Sequence, residues 1–374
     1  MDELLKQYPA SAQILQIGKK VLEGERISPQ EGIILYNEAD TGLLAALASI
    51  IRERLNGKKV FFNRNFHIEP TNICVFGCRF CSYARQKGEE GSWEYSIEDM
   101  LAQVESFKDK QVTEAHIVGG VHPDRDLWFY CDLICKIKAI RPDLRIKAFT
   151  AVELAYMIEK SGLSIPDGLK ELKQAGLEAV PGGGAEIFDS EIRSQLCSDK
   201  ASAEAWLGMH REVHLQGIPS NATILYGHIE TYEHRIDHLN RLRLLQDETN
   251  GFDAFIPLKY RKANNALSFM GEVSVIEDMR NYAVSRIFLD NIPHIKSYWP
   301  MLGRSSARLS LAFGVDDLDG TIDDTTKIYT MAGVDEKASM SSEELIAMIN
   351  IEGYTAIERD TLYNELGSWA PLLD

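Results

Sequence analysis

The chain has 374 residues, long for one ordinary domain and short for three. Its 40 basic residues stand against 56 acidic ones, a formal charge of −16 that would repel a phosphate backbone and argues against a generic DNA- or RNA-binding role. Apolar residues make up 45%, enough for a sizeable core, and no stretch approaches the roughly eighteen apolar residues of a membrane span. The opening MDELLKQYPASAQILQIGKK lacks the basic and apolar regions of a secretory signal, and the six cysteines are clustered instead of spread as a disulfide framework. A reducing, cytoplasmic setting without a membrane partner is the expectation.

Residues 1–58 read as an added helical segment. From 59 onward short apolar runs alternate with longer amphipathic ones. The runs are VFFNRNFHIEP (60–70), EAHIVGG (114–120), RIKAFTA (145–151), LEAVPGG (177–183), IPSNATILYG (218–227), FDAFIPLKY (252–260), IPHIKSYW (292–299) and a weaker GVDDLDGTI (314–322). Helical patterns at 96–110, 126–140, 202–217, 231–248 and 274–290 fall between them, the first opened by Ser96 with Asp99 three residues on. About eight strand–helix repeats over 59–322 predict an α/β fold of the (β/α)8 TIM type, with a doubly wound open sheet as the competing arrangement. Residues 323–374 read as a small C-terminal cap.

Unusual residues gather where strands end, the reactive face of such a barrel. The first strand runs into PTNICVFGCRFCSYARQK, the second ends in GGVHP, the fourth in PGGGAE, the fifth in YGHIE and the sixth in PLKYRK. Cys74, Cys78 and Cys81 lie in CxxxCxxC spacing among Gly77, Arg79, Ser82 and Arg85, surroundings that suit metal-binding thiolates better than a core. Structural zinc would need a fourth ligand, for which His67 and His122 are candidates. A [4Fe–4S] cluster on three cysteines would instead leave one iron open, the mark of a reactive site. Cys131 and Cys135, four apart in an apolar helix, and Cys197 read as core residues. A non-catalytic iron–sulfur or zinc scaffold is the alternative from another class, against which the strand-end glycines argue.

This cysteine motif, with Phe80 before its last cysteine and a strand before it, resembles that of the radical S-adenosylmethionine (radical SAM) enzymes. The resemblance implies a [4Fe–4S] cluster on Cys74, Cys78 and Cys81 whose open iron binds SAM as co-substrate. It implies that Gly119 and Gly120 accept the methionine amino group, although paired glycines also serve tight turns with positive φ. Glu186 would face the ribose or the methionine ammonium. Arg193 would meet the carboxylate, or else form a surface pair with Glu186 seven residues before it. Tyr83 would hold the adenine or simply pack.

NFHIEPTNICVFGCRFCSYAR, HIVGGVHP, KAFTAVE, PGGGAEIF and YGHIET together resemble the aminofutalosine synthase family of the futalosine route to menaquinone, close to dehypoxanthine futalosine cyclase and the two halves of the deazaflavin synthase. What that implies is addition of the SAM-derived adenosyl group to 3-[(1-carboxyvinyl)oxy]benzoate, with flavodoxin or ferredoxin as electron donor. A dicarboxylate substrate needs cations. Lys259 and Arg261, which share one face of the sixth strand, and His228 at the fifth are the candidates, with a hydrogen-bonded structural role the alternative for His228 and a solvated basic loop the alternative for the other two. Arg79, Arg85 and Lys87 offer a local basic patch to an acidic donor. His210 and His214 read as surface or core positions.

Overall fold

A computed structural model describes residues 5, 7, 8, 10–322, 326–334 and 339–371. Positions 1–4, 6 and 9 of the expected N-terminal segment, and 323–325, 335–338 and 372–374 of the expected cap, lie outside the described residues. Helices Ala12–Glu23, Pro29–Glu38 and Thr41–Asn56 precede the strands, each opened by a side-chain cap from Ser11, Ser28 or Asp40. Among the described residues ten strands follow: β1 Lys59–Phe62, β2 Asn65–Ile68, β3 Glu114–Ile117, β4 Arg145–Ala148, β5 Ser220–Tyr226, β6 Phe252–Lys259, β7 His294–Ser297, β8 Asp317–Leu318, β9 Thr355–Arg359 and β10 Glu365–Trp369.

β2 to β8 form the barrel. β2, β3 and β4 pair in parallel, as do β5, β6, β7 and β8. Between β4 and β5 the expected fourth strand shrinks to two parallel bridges, Lys147 to Ala179 and Val180 to Ser220. The seam from β8 back to β2 is closed by a side chain: Asn65 N donates to Thr321 Oγ1 at 3.1 Å, and Thr321 N donates to Asn63 O at 3.2 Å.

The expected helices are present within a few residues, and Ser96 and Asp99 make the reciprocal cap their spacing implies. Helices Ala151–Lys160, Ile165–Ala175 and Ser190–Cys197 also stand between the strands, where the sequence patterns above mark none. One expected strand is two. The run 60–70 breaks at Asn63 and Arg64, and its first half, β1, leaves the barrel to pair in parallel with β8 and β9 in an outer sheet completed by β10.

The core lies between strands and helices, whereas the barrel's interior is polar. Asn65, His67 and Glu69, then Glu114 and His116, then Lys147, alternate inward along successive strands and are all buried but the half-buried His116. At the base, Glu114 faces Lys147 at 3.1 Å and accepts from Thr361 Oγ1 at 2.7 Å; Asp317 accepts from Arg359 Nε and the Tyr363 hydroxyl, both at 2.8 Å. Burial opposes ionisation of Glu114, but Lys147 and its neighbours override it and hold the carboxyl below its usual range. The segment after β9 therefore plugs the barrel floor.

Behind β5 lie three histidines, His210 and His238 buried and His214 half-buried. His210 Nδ1 and His214 Nε2 share Ser220 Oγ at 2.8 and 2.7 Å, and His238 Nε2 meets Thr223 O at 2.8 Å. His210 and His238 are core residues. Burial pushes His214 down to about 4 and His238 to about 3, and holds His210 well below its ordinary value. A depressed folded pKa means the unfolded chain binds more protons below pH ~6.5. Their contribution is thus fully present above that pH and is lost as pH falls toward 4 and 3. Urea unfolding followed between pH 7 and 4 should lose about 1.4 kcal/mol per pH unit per histidine once below ~6.5. His238→Gln should flatten that dependence, and an unchanged slope would contradict it.

Candidate functional site

The cysteine loop leaves β2 at the barrel's mouth and is pinned by backbone bonds. Cys74 N donates to Arg85 O at 2.9 Å, Val75 N to Val121 O at 3.0 Å, Arg79 N to Leu196 O at 2.8 Å and Cys81 N to Cys78 O at 3.1 Å. Cys74, Cys78 and Cys81 are each half-buried. Cys78 and Cys81 line an open cleft of about 670 Å³, bordered by Arg79, Arg85 and Asn265. Cys81 also borders a second, more enclosed cavity of about 330 Å³ inside the barrel. It is the one cysteine shared by the two spaces.

Among the described residues, no three His, Cys, Asp or Glu side chains stand ready around a metal ion. The Cys78 thiol instead hydrogen-bonds Cys197, which raises the pKa of Cys78 and lowers that of Cys197, and burial raises those of Cys74 and Cys81. The donor set nevertheless fits a [4Fe–4S] cluster: three thiols within eight residues, on a fixed loop facing a cleft, with a turn of the Cys78 side chain bringing it off Cys197. His67 and His122 are no fourth zinc ligands here. His67 stacks on His116 at 4.7 Å, and His122 Nε2 lies 3.0 Å from Glu94.

Gly119 and Gly120 pack under this loop, and neither adopts positive φ, so the turn explanation fails. Close approach explains them. A Cβ on Gly120 would sit 2.3 Å from Ile73 O, and one on Gly119 2.8 Å from Thr71 O. Gly119, Gly182, Gly183 and Glu186 line the inner cavity together with Cys81. Glu186 has φ of 50°, a left-handed conformation costly for a non-glycine residue, which points its carboxylate to Lys200 Nζ at 2.5 Å. Lys200 was not foreseen. Its nitrogen lies 5.7 Å from the centre of the Phe80 ring, inside the cysteine motif.

Arg193 departs from both expectations. It is 5% exposed, does not border the cavity, and donates to the carbonyls of Ala185, Ile187, Gly184 and Ala201. It holds the PGGGAE turn in shape from behind. Tyr83 borders the cavity, but its hydroxyl is turned to Thr71 O at 3.2 Å and Glu69 Oε2 at 3.4 Å, with Trp93 edge-on at 5.9 Å.

The expected clamp residues already hold partners. Lys259 and Arg261 border the cavity, but Lys259 Nζ is 2.7 Å from Asp278 and Arg261 is 3.1 Å from Glu272. His228 does not reach the cavity: Nε2 donates to Leu225 O at 2.9 Å while Nδ1 accepts from Ile229 N at 2.7 Å, so the structural alternative describes it. The cavity's other charged and polar lining was missed: Glu69, Lys147, Asn221, Lys296, Asp319 and Tyr329. A signal existed, since polar residues recur every second position in NFHIE, EAH and IKA, the inverse of an apolar barrel interior. Glu69 ties the rim segment down, accepting from Thr326 Oγ1 and from Lys327 N at 2.9 Å.

Comparison with known proteins agrees with this geometry. Residues 68–242 match the model of the Radical SAM superfamily, and residues 249–368 that of the CofH/MqnC C-terminal region. The chain is 43% identical to aminodeoxyfutalosine synthase of Thermus thermophilus over 95% of its own length and 96% of that protein's, and 38% identical to aminodeoxyfutalosine synthase of Streptomyces coelicolor over 94% and 93%. Among solved structures it superposes on methylornithine synthase (PylB) with a TM-score of 0.71 at 18% identity, covering 90% and 96% of the two chains, a likeness of fold. A barrel with a three-cysteine loop at its mouth, matched over nearly its whole length by such relatives, places the chain in the radical SAM superfamily, whose members use a [4Fe–4S] cluster and SAM.

Proposed function

We propose that the enzyme carries out the aminodeoxyfutalosine synthase reaction. The adenosyl part of SAM is transferred to the enol-ether double bond of 3-[(1-carboxyvinyl)oxy]benzoate, with aryl migration and loss of one carboxyl as CO2 or bicarbonate. The products are 6-amino-6-deoxyfutalosine and methionine. The observation that carries the reading is the 43% identity to such a synthase across 95% of this chain. When bound on Cys74, Cys78 and Cys81, the cluster supplies the electron that cleaves SAM. Every other task falls to the chain: Gly119 and Glu186 bound the SAM end beside Cys81, Gly120 packs under the cysteine loop against Ile73, and the enclosed cavity excludes water and stray hydrogen donors from the reacting carbons. Glu186 would exchange its Lys200 partner for the methionine ammonium, leaving Lys200 for the carboxylate in place of Arg193.

The test is anaerobic reconstitution, reduction with dithionite, and mass spectrometry after incubation with SAM and the benzoate. The adduct and methionine are expected in equal amounts. Formation of 5′-deoxyadenosine without adduct would transfer the reading to another substrate of the same superfamily.

Flavodoxin or ferredoxin is the proposed donor, docking over the cleft beside Cys78. Arg79 and Arg85 border that cleft, their guanidinium groups lying on the carbonyls of Gln195 and of Ser82 and Ala84. Exposed Lys87 pairs with Asp124 at the same edge. Lys87→Glu is expected to lower flavodoxin-driven turnover several-fold, most at low salt, with far less effect when dithionite is the reductant. Equal loss with both reductants would remove Lys87 from the docking surface.

A further inference from the structure

Among the residues that line the barrel cavity, Lys296 and Tyr329 stand out by what they lack. Lys296 is 2% exposed, yet its nearest acids are loose: Asp319 at 3.5 Å and Asp317 at 3.9 Å. Arg359 and Tyr363 both hold Asp317 Oδ2 at 2.8 Å, while Oδ1 faces the ammonium at 3.9 Å, beyond hydrogen-bond range. The other cations on the cavity wall are engaged at closer range, Lys147 at 3.1 Å, Lys259 at 2.7 Å and Arg261 at 3.1 Å. An ammonium carries three donors, and a single long contact with Asp319 leaves capacity directed at the cavity. Tyr329 descends from the rim segment that Glu69 anchors. It is 2% exposed, its ring lies 5.4 Å from Tyr298 and 6.3 Å from His67, and among the described residues its hydroxyl has no hydrogen-bond partner although no solvent reaches it. A buried hydroxyl without a partner is a group awaiting one. Burial holds this phenol well above its ordinary pKa, so it is a donor. Leu258, Tyr298, Met301 and Ile328 form an apolar wall on the same cavity, suited to an aromatic ring.

We propose that Lys296 and Tyr329 form the seat for the benzoate carboxylate, with the ring against the apolar wall and the enol ether directed toward Cys81. The polarity of the cavity sets this orientation. Lys296 belongs to the floor network of Asp317 and Arg359, whereas Cys81, Gly119 and Glu186 border the opposite, cluster end. The double bond must lie at the cluster end, so the carboxylate meta to the ether oxygen falls at the floor. This rests on the proposed reaction for the identity of the ligand.

The test is anaerobic titration calorimetry on the reconstituted enzyme with SAM, using two ligands: the free acid and its analogue with the benzoate carboxyl capped as a methyl ester. The wild-type enzyme should bind the ester about 100-fold more weakly, as expected for loss of a charge-assisted bond. Tyr329→Phe should weaken binding of the acid about 10-fold and keep about 10-fold discrimination against the ester, whereas Lys296→Met should weaken it about 100-fold and bind acid and ester nearly alike. In turnover the same variants should raise KM more than they lower kcat. Tyr329→Phe removes only an unpartnered oxygen, so it decides the matter even if Lys296→Met proves unstable. Wild-type binding of the acid with no discrimination against the ester, or unchanged affinity in the variants, would overturn the seat alone. Failure of the wild-type enzyme to bind the acid at all would overturn the proposed reaction and the seat with it.

Discussion

Serine in place of Cys74, Cys78 or Cys81 is expected to abolish SAM cleavage and to strip the reconstituted protein of most of its iron and sulfide. A neutral hydroxyl is a poor substitute for thiolate on iron, and with only three ligands supplied no spare remains. The informative control is Cys197→Ser. Its thiol is the hydrogen-bond partner of Cys78, and at 2% exposure it is the best buried of the six cysteines. It lies outside the loop, at the end of the helix Ser190–Cys197. The cluster and SAM cleavage should survive this change, at a stability cost of about 1 kcal/mol for a polar group in an apolar site. Cys135→Ser, on an exposed position, should be silent. Iron and sulfide analysis with 5′-deoxyadenosine quantitation reads all five variants, and loss of iron from Cys197→Ser with retention in Cys78→Ser would reverse the assignment.

The second large effect belongs to a glycine. Gly120→Ala should cost about 3 kcal/mol and reduce cluster content, because the added carbon would sit 2.3 Å from Ile73 O and 2.7 Å from Ile73 C. Neither is a movable side-chain tip. They are the backbone that delivers Cys74, so relief requires the cysteine loop itself to shift. Gly208→Ala is the matched comparison. That glycine is in the helix Ala203–Leu215 with nothing within 4 Å of its new carbon, and the change should stabilise by roughly 0.5–1 kcal/mol through helix propensity. Thermal unfolding beside iron analysis separates the two. A Gly120→Ala protein as stable and as iron-rich as wild type would show that the loop has room not evident here.

The barrel was legible because alternating short apolar runs and capped amphipathic stretches are local patterns, and Ser96 with Asp99 shows how directly a local rule can hold. The cysteine loop was legible for the same reason. The run VFFNRNFHIEP misleads because its apolar content is continuous, while the break at Asn63 and Arg64 is set by β9, which pairs with Lys59–Phe62 from almost 300 residues away. Side-chain destinations failed where a distant partner decides them. Alternation places Lys259 on the cavity wall, but Asp278, from the helix Val275–Phe288, takes its charge. Arg193 is a ligand by the resemblance, yet the carbonyls of Gly184, Ala185, Ile187 and Ala201 consume it. Lys296 and Tyr329 carry no motif at all. They become visible only when strand, rim and floor are assembled around one cavity.

The outer sheet and the floor plug impose an order of events during synthesis. Lys59 pairs with Thr355, and the base of the barrel is sealed by Arg359, Thr361 and Tyr363. Contacts of such long sequence separation are slow to form. At roughly 5–20 residues per second, the ribosome holds the first strand for some tens of seconds before its partner exists. Until then the interior charges Glu114, Lys147 and Asp317 have no lid beneath them. The nascent chain is therefore open at its floor for most of its translation. Truncation near residue 350 should leave that opening permanent, giving a product that chaperones retain and proteases clear.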